Sequence, residues 1–144
     1  MSGDELAARE AVRDLIAHYA HAVDRGRFDD AAACFAAAGV LDIRGGSRSI
    51  GRDAIAKRFQ QAAGKLASAA TDAFVRHNVT SIEVTAMDVL AGTARAHSYF
   101  VVLTEIGLDH WGTYRDSLVL EDGRWCFADR SVTVDGRTGP SRMT

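Results

Sequence analysis

One histidine stands in a setting that suits proton transfer. His77 lies in RHNV (76–79), at the start of an alternating, β-branched stretch predicted as a strand, and it shares a face with Val75 and Val79. If that face is concave, the imidazole lies in an apolar pocket. A carboxylate on one ring nitrogen would then orient it and stabilise the imidazolium formed by proton abstraction. A core histidine bonded to the backbone is the alternative.

Two residues near the end of the first predicted helix could support such a base. Asp24 falls in the last helical turn, where the helix dipole opposes a negative charge, so its carboxylate needs a partner. Unless the chain unwinds at Arg25 and Gly26 and turns it inward, Asp24 is a solvated aspartate. Tyr19 lies on the apolar stripe, where its hydroxyl could stay in the core or bind a substrate carbonyl or a developing oxyanion.

The last two predicted strands carry three candidate substrate-binding residues. Tyr114 and Asp116 share one face of their strand with Leu118, so the Asp116 carboxylate needs a partner. Arg130, on the following strand, could neutralise a substrate anion or pair with Asp116.

The remaining histidines and the cysteines indicate no metal site. His18, His21 and His110 are predicted surface residues, and the first two, three apart on a helix, lack an evident third ligand. Cys34 and Cys126 have no metal-type spacing and are predicted to be buried thiols rather than a disulfide. We expect neither a metal nor a cofactor.

Helices are predicted to come first in the chain. Apolar residues at helical spacing indicate an amphipathic helix that begins near Glu10 and ends at a glycine suited to a left-handed cap. The following predicted segments are a short helix (Phe28 to Phe35), a strand (Gly39 to Ile43), a turn (Arg44 to Ser49), a third helix (Asp53 to about Gly64) and a mobile loop (Lys65 to Asp72).

Strands dominate the second half. Alternating, β-branched segments separated by turn residues indicate an antiparallel meander, and Asp122-Gly123 is a strong hairpin signal. This order predicts an α+β fold with the helices on one face of a curved sheet. We expect one domain over residues 1–134 and a loosely ordered tail over 135–144. The predicted strands are Phe74 to Thr85, Ala91 to Thr104, Trp111 to Leu120 and Trp125 to Val134.

Composition excludes several classes of function. The chain has 144 residues, 47% hydrophobic and 25% charged, which is ordinary for a globular domain. A net charge of −2 gives no basic footprint for nucleic acid. No apolar run is long enough to span a bilayer, so we expect no membrane partner. The polar, acidic start MSGDELAARE does not resemble a signal peptide, and the predicted location is the cytoplasm.

Three stretches together resemble a known family. They are REAVRDLIAHYAHAVDRGRFDDAAACF (9–35), RHNV (76–79) and GTYRDSLVLEDGRWCFADRSV (112–132). Their order and spacing resemble the SnoaL-like branch of the nuclear-transport-factor-2-like superfamily, which includes scytalone dehydratase, bile-acid 7α-dehydratase and hexachlorocyclohexane dehydrochlorinase. The resemblance implies a cone-shaped, cystatin-like fold with three N-terminal helices packed on a strongly curved, mostly antiparallel sheet that encloses a pocket.

The resemblance also implies site residues. In these enzymes a strand histidine pairs with an aspartate from the end of the first helix, and these positions fall on His77 and Asp24. A tyrosine of some members falls on Tyr19, and an arginine of others on Arg130. The second acid or base of two relatives falls near residues 99–101, where this sequence has no strong base, so their particular dehydrations are not implied.

Three functions are consistent with these residues. The favoured one is a cofactor-independent lyase or isomerase, of dehydratase type, that acts on a small, mostly apolar substrate, including cyclic compounds. His77 would be the base, Asp24 its orienter and Tyr19 the polar anchor. The alternatives are a non-catalytic ligand-binding or scaffold module and a partner resembling the dioxygenase β-subunit, since this fold hosts several functions. We expect a homo-oligomer, a trimer or a dimer, because a lone sheet would expose an apolar face.

Overall fold

The computed structural model describes residues 1–69 and 73–143 and has the predicted α+β architecture. One six-stranded sheet has the order β2-β1-β6-β5-β4-β3, and all its neighbours are antiparallel except β1 and β6. The elements are α1 Gly3–Asp24, α2 Phe28–Ala33, β1 Phe35–Ile43, β2 Arg48–Ile50, α3 Arg52–Ala69, β3 Arg76–Asp88, β4 Thr93–Thr104, β5 Gly107–Glu121 and β6 Arg124–Arg137.

The first helix forms for the reasons that its sequence indicates. The Ser2 side chain caps its first turn by accepting a hydrogen bond from the Glu5 backbone N–H at 3.1 Å. Gly26 follows its end with φ +71°, a conformation that glycine adopts without strain. The buried stripe of α1 packs into the main core, which combines side chains of the helices and the inner face of the sheet. This core includes Val12, Ile16, Phe35, Leu41, Ile55, Leu118 and Phe127.

Several predicted boundaries need correction. The third helix continues to Ala69 instead of ending near Gly64, so the start of the predicted mobile loop is helical; the rest of that loop, residues 70–72, lies outside the described residues. This helix also follows β1 and β2, so the three helices are not all N-terminal. The prediction of a loosely ordered tail from residue 135 is wrong for its first residues, because β6 continues to Arg137. Cys34 and Cys126 are buried free thiols, as predicted.

Glycine at position 112 is required by close packing between three strands. A Cβ there would lie 2.0 Å from the backbone oxygen of Thr133 and 2.5 Å from Cζ of Phe100. Backbone cannot move away cheaply, so the Phe100 ring and the β5–β6 pairing would both have to shift. Gly112 therefore leaves the space that the Phe100 ring of β4 occupies beside β5.

We expect Gly112→Ala to lower the free energy of unfolding by about 1–3 kcal/mol, the usual cost of overpacking. Urea denaturation of the variant and the wild type measures this difference. Gly64→Ala is the matched control, because a Cβ at this helical position meets nothing within 4 Å. Equal stability of Gly112→Ala and the wild type would contradict the packing argument.

Candidate active site

A cavity of about 270 Å³ lies between the helices and the inner face of the sheet. This volume is near the small end of ligand pockets. Most of its wall is apolar, and its polar groups are concentrated at a few positions. The lining residues that matter for chemistry are Tyr19, His77, Asp109, His110 and Tyr114, and the aromatic remainder is Phe28, Phe59 and Phe100.

The structure brings Asp24 and His77 into direct contact. Oδ1 of Asp24 lies 2.6 Å from Nδ1 of the imidazole, and the same carboxylate accepts the His77 backbone N–H at 3.2 and 3.0 Å from its two oxygens. The two side chains are only 10% and 18% exposed. In the neutral imidazole, this contact places the proton on Nδ1, because an ionised carboxylate only accepts hydrogen bonds, and it leaves the lone pair on Nε2.

Antiparallel docking of α1 along β3 explains this contact. The guanidinium of Arg9 donates to the backbone oxygen of Val84, and that of Arg13 donates to the oxygen of Ile82. The fifteen residue-to-residue steps from Arg9 to Asp24 along the helix rise roughly 22 Å, and the seven steps from Val84 to His77 along the strand span about 23 Å. The helix end and the strand start therefore meet, and Asp24 points inward without any unwinding of the helix.

His77 has a second ring nitrogen, Nε2, besides the one that Asp24 contacts. Within residues 1–69 and 73–143, no protein group hydrogen-bonds Nε2 of this ring. His77 lines the cavity wall while its Nδ1 is occupied by the carboxylate. This arrangement can accept a proton from a bound molecule and keep the resulting imidazolium paired with Asp24.

Tyr19 and Tyr114 also line the cavity, and both are held by Arg130. The guanidinium carbon of Arg130 lies 4.5 Å from the ring centre of Tyr19 and 3.7 Å from that of Tyr114. Burial, followed by the neighbouring Tyr114, raises the pKa of the Tyr19 hydroxyl, and burial raises the pKa of Tyr114 to about 12. Both phenols are therefore protonated at neutral pH and can donate hydrogen bonds.

Arg130 and Asp116, two predicted substrate-binding residues, lie behind the cavity wall. Nε and Nη2 of Arg130 donate to the two oxygens of Asp116 at 2.8 and 3.1 Å, and both side chains are 0% exposed. Neither residue lines the cavity. Their placement favours the other sequence alternative, a buried ion pair, which here supports the two cavity tyrosines.

The prediction that His110 is a surface residue is wrong. Its side chain is 16% exposed, lines the cavity, and places Nδ1 2.8 Å from Oδ1 of Asp109. A β-bulge makes this possible: β4 pairs Val102 with His110 and Leu103 with Leu108, which leaves Asp109 unpaired between them. The only sequence signal was an Asp-His pair beside a predicted turn. His18 and His21 are exposed, as predicted.

Asp109 holds the C-terminal segment in place through hydrogen bonds. Its carboxylate accepts hydrogen bonds from Thr104, His110, Ser141 and the backbone N–H of Arg142. Burial acts to raise the pKa of this carboxyl, but these hydrogen bonds outweigh burial and hold its pKa at about 2. Residues of the predicted loose tail therefore close one side of the cavity, which Arg142 and Met143 line.

We expect Asp109→Asn to lower the free energy of unfolding by about 2 kcal/mol at pH 7, because the folded-state pKa lies below the ordinary value of 3.8. This stabilisation is present above about pH 4 and is lost as the pH falls through about 2, so the two proteins should converge in acid. Urea denaturation between pH 7 and pH 2 measures the difference. Asp14→Asn, at an exposed helical site, is the control. A pH-independent difference would contradict the assignment.

Residues 1–69 and 73–143 contain neither a cluster of metal ligands nor a membrane-spanning helix. These residues contain no group of three or more histidine, cysteine, aspartate or glutamate side chains arranged to hold a metal ion. None of their helices combines the length and apolar character needed to cross a membrane.

The sequence of this chain matches the SnoaL-like domain over residues 4–131. The chain therefore belongs to the SnoaL-like domain family, as its motifs predicted. No curated protein sequence matches it.

Solved structures show the same fold. A Catenulispora acidiphila protein in complex with S-DNPA is 28% identical, with a TM-score of 0.75 over 90% of this chain and 95% of that one. A Novosphingobium aromaticivorans protein provisionally named a scytalone dehydratase is 20% identical, with a TM-score of 0.81 over 96% and 91%. A nuclear-transport-factor-2-like protein with a cystatin-like fold, from the same organism, is 22% identical, with a TM-score of 0.77 over 95% and 88%.

Proposed function

We propose that this protein is a cofactor-independent lyase or isomerase that removes a proton from carbon in a small, mostly apolar substrate. The observation that carries the proposal is the His77 imidazole, which lines the cavity, is held by Asp24 at 2.6 Å on Nδ1 and has no hydrogen-bond partner for Nε2 among the described residues. A carboxylate more exposed and distant from the ring would have favoured a simple binding module.

Each member of the site has a distinct part in the reaction. Nε2 of His77 takes the proton, and the Asp24 carboxylate fixes the tautomer and stabilises the imidazolium. The Tyr19 hydroxyl, kept protonated by burial, donates a hydrogen bond to a substrate oxygen on which negative charge develops. Tyr114 is a second donor on the same wall. The imidazolium can then return its proton to another carbon or to a leaving group.

The shape and lining of the cavity favour a ring-containing substrate. Aromatic side chains from all three helices and the sheet form much of its wall, and flat rings pack well against them. The Catenulispora relative forms a complex with S-DNPA, and we propose that the cavity of this chain also receives a ligand.

The first experiment measures proton abstraction without knowledge of the natural substrate. 2-Tetralone is a bicyclic ketone with exchangeable protons beside its carbonyl, and ¹H NMR in D₂O follows their replacement by deuterium. The wild-type protein should accelerate this exchange above the rate in buffer alone. The same exchange rate with and without protein would remove the support for a catalytic base and leave the ligand-binding module as the explanation of the cavity.

A further inference from the structure

A second histidine faces the cavity in register with the proposed base. β3 pairs His77 with Val102, and β4 pairs Val102 with His110, so the three residues form one row across three adjacent strands. Residues directly opposite one another in neighbouring strands project from the same face of a sheet. Both imidazoles therefore rise from one face, and both line the cavity.

The spacing of the two histidines suits a ring between them. Adjacent strands lie about 4.8 Å apart, so the two histidine backbones are separated by roughly 10 Å. Phe100 lies on the strand between them, with its ring centre 6.1 Å from that of His110. A ring system packed against Phe100 would present opposite edges to the imidazoles of His77 and His110.

The protonation of the His110 ring determines which ligand group it can bind. The Asp109 carboxylate is ionised and accepts a hydrogen bond from Nδ1–H, so in the neutral ring Nε2 carries the lone pair. No group in the described part of the chain hydrogen-bonds this Nε2. Burial lowers the pKa of His110 although Asp109 acts to raise it, and His77 and Arg137 also disfavour the imidazolium. The ring is therefore neutral at pH 7 and presents a hydrogen-bond acceptor.

We infer that Nε2 of His110 accepts a hydrogen bond from a substrate hydroxyl, so that the substrate class is a cyclic compound with an O–H group opposite its reactive C–H. This inference rests on the proposed function for the position of the C–H beside His77, and it adds the recognition of the hydroxyl. Asp109 acts here as a positioning residue, because its bond to Nδ1 aims Nε2 at the ligand.

The test compares the binding of 2-naphthol and 2-methoxynaphthalene, which share a ring system but differ in their ability to donate a hydrogen bond. Titration calorimetry gives both dissociation constants for the wild type, His110→Leu and His77→Asn. We expect the wild type to prefer the naphthol by about tenfold, the usual effect of one hydrogen bond in a partly buried site. His110→Leu should lose this preference, and His77→Asn should keep it.

Two outcomes would overturn the inference: equal affinities of the wild type for both ligands, or a preference for the naphthol that persists in His110→Leu. The test also has a form that needs no folded variant. In wild-type protein with ¹⁵N-labelled histidine, naphthol should move the Nε2 resonance of His110, and the methyl ether should not. Because binding is measured without turnover, failure of the 2-tetralone assay and failure of the His110 inference are separate results.

Discussion

Replacement of His77 by asparagine is expected to lower the protein-dependent deuterium exchange of 2-tetralone by about 10²–10⁴-fold, the usual contribution of a general base. The amide N–H of asparagine can still donate to Asp24, so the local hydrogen bond survives. The substitution removes the Nε2 lone pair, which is the proposed proton acceptor. The loss should therefore appear in the exchange rate and not in the stability of the fold.

His18→Asn is the matched control, since His18 is an exposed histidine on α1 and should leave exchange unchanged. Asp24→Asn should cause a smaller loss than His77→Asn, because the base remains while its orienting charge is removed. Wild-type exchange in His77→Asn would contradict the proposal, whereas equal losses in His77→Asn and His18→Asn would point to a general effect of histidine removal.

Replacement of Arg130 by methionine is expected to lower the free energy of unfolding by about 3–5 kcal/mol, because it leaves the Asp116 carboxylate buried without its partner. Both side chains of the pair are 0% exposed, so water cannot replace the lost interaction. The guanidinium also lies over the rings of Tyr19, Tyr114 and Phe127, which would lose this contact. Urea denaturation and the thermal midpoint both measure the change.

Two further variants show whether the ion pair is responsible. Arg95→Met removes an exposed arginine of β4 and should change stability by less than about 0.5 kcal/mol. The double variant Arg130→Met/Asp116→Leu removes the unpaired charge and should recover a large part of the loss. If Arg130→Met is as stable as Arg95→Met, the buried pair does not hold the cavity wall in place.

The order and type of most elements followed from local patterns. Apolar residues at helical spacing indicated α1, and alternation with turn residues indicated the meander of β3 to β6. Boundaries were less accurate because they depend on tertiary contacts. The last turns of α3 pack towards the cavity, and the C-terminal segment is tied to Asp109, and neither interaction leaves a periodic signal in the sequence.

The candidate site was also predicted only in part from the sequence. The sequence alone placed His77 on one strand face with Val75 and Val79 and placed Asp24 at a helix end in need of a partner, and the family motifs suggested their pairing. Their contact depends on the antiparallel docking of α1 on β3, which brings together residues 53 positions apart. Alternation placed Asp116 on one strand face with Tyr114 and Leu118 and indicated that its carboxylate needs a partner. That Asp116 pairs with Arg130 behind the tyrosines is decided by three-dimensional packing.

His110 could not be predicted as a cavity residue from alternation. In a regular strand, neighbouring residues point to opposite faces of the sheet. The bulge at Asp109 breaks this alternation, so that Asp109 and His110 both line the cavity. By itself, then, the sequence determined the fold class, the family and the residue types of the proposed base and its orienter. Only the tertiary structure decided the second histidine, the buried ion pair and the closing C-terminal segment, because each depends on contacts between residues distant in sequence or on a local break in periodicity.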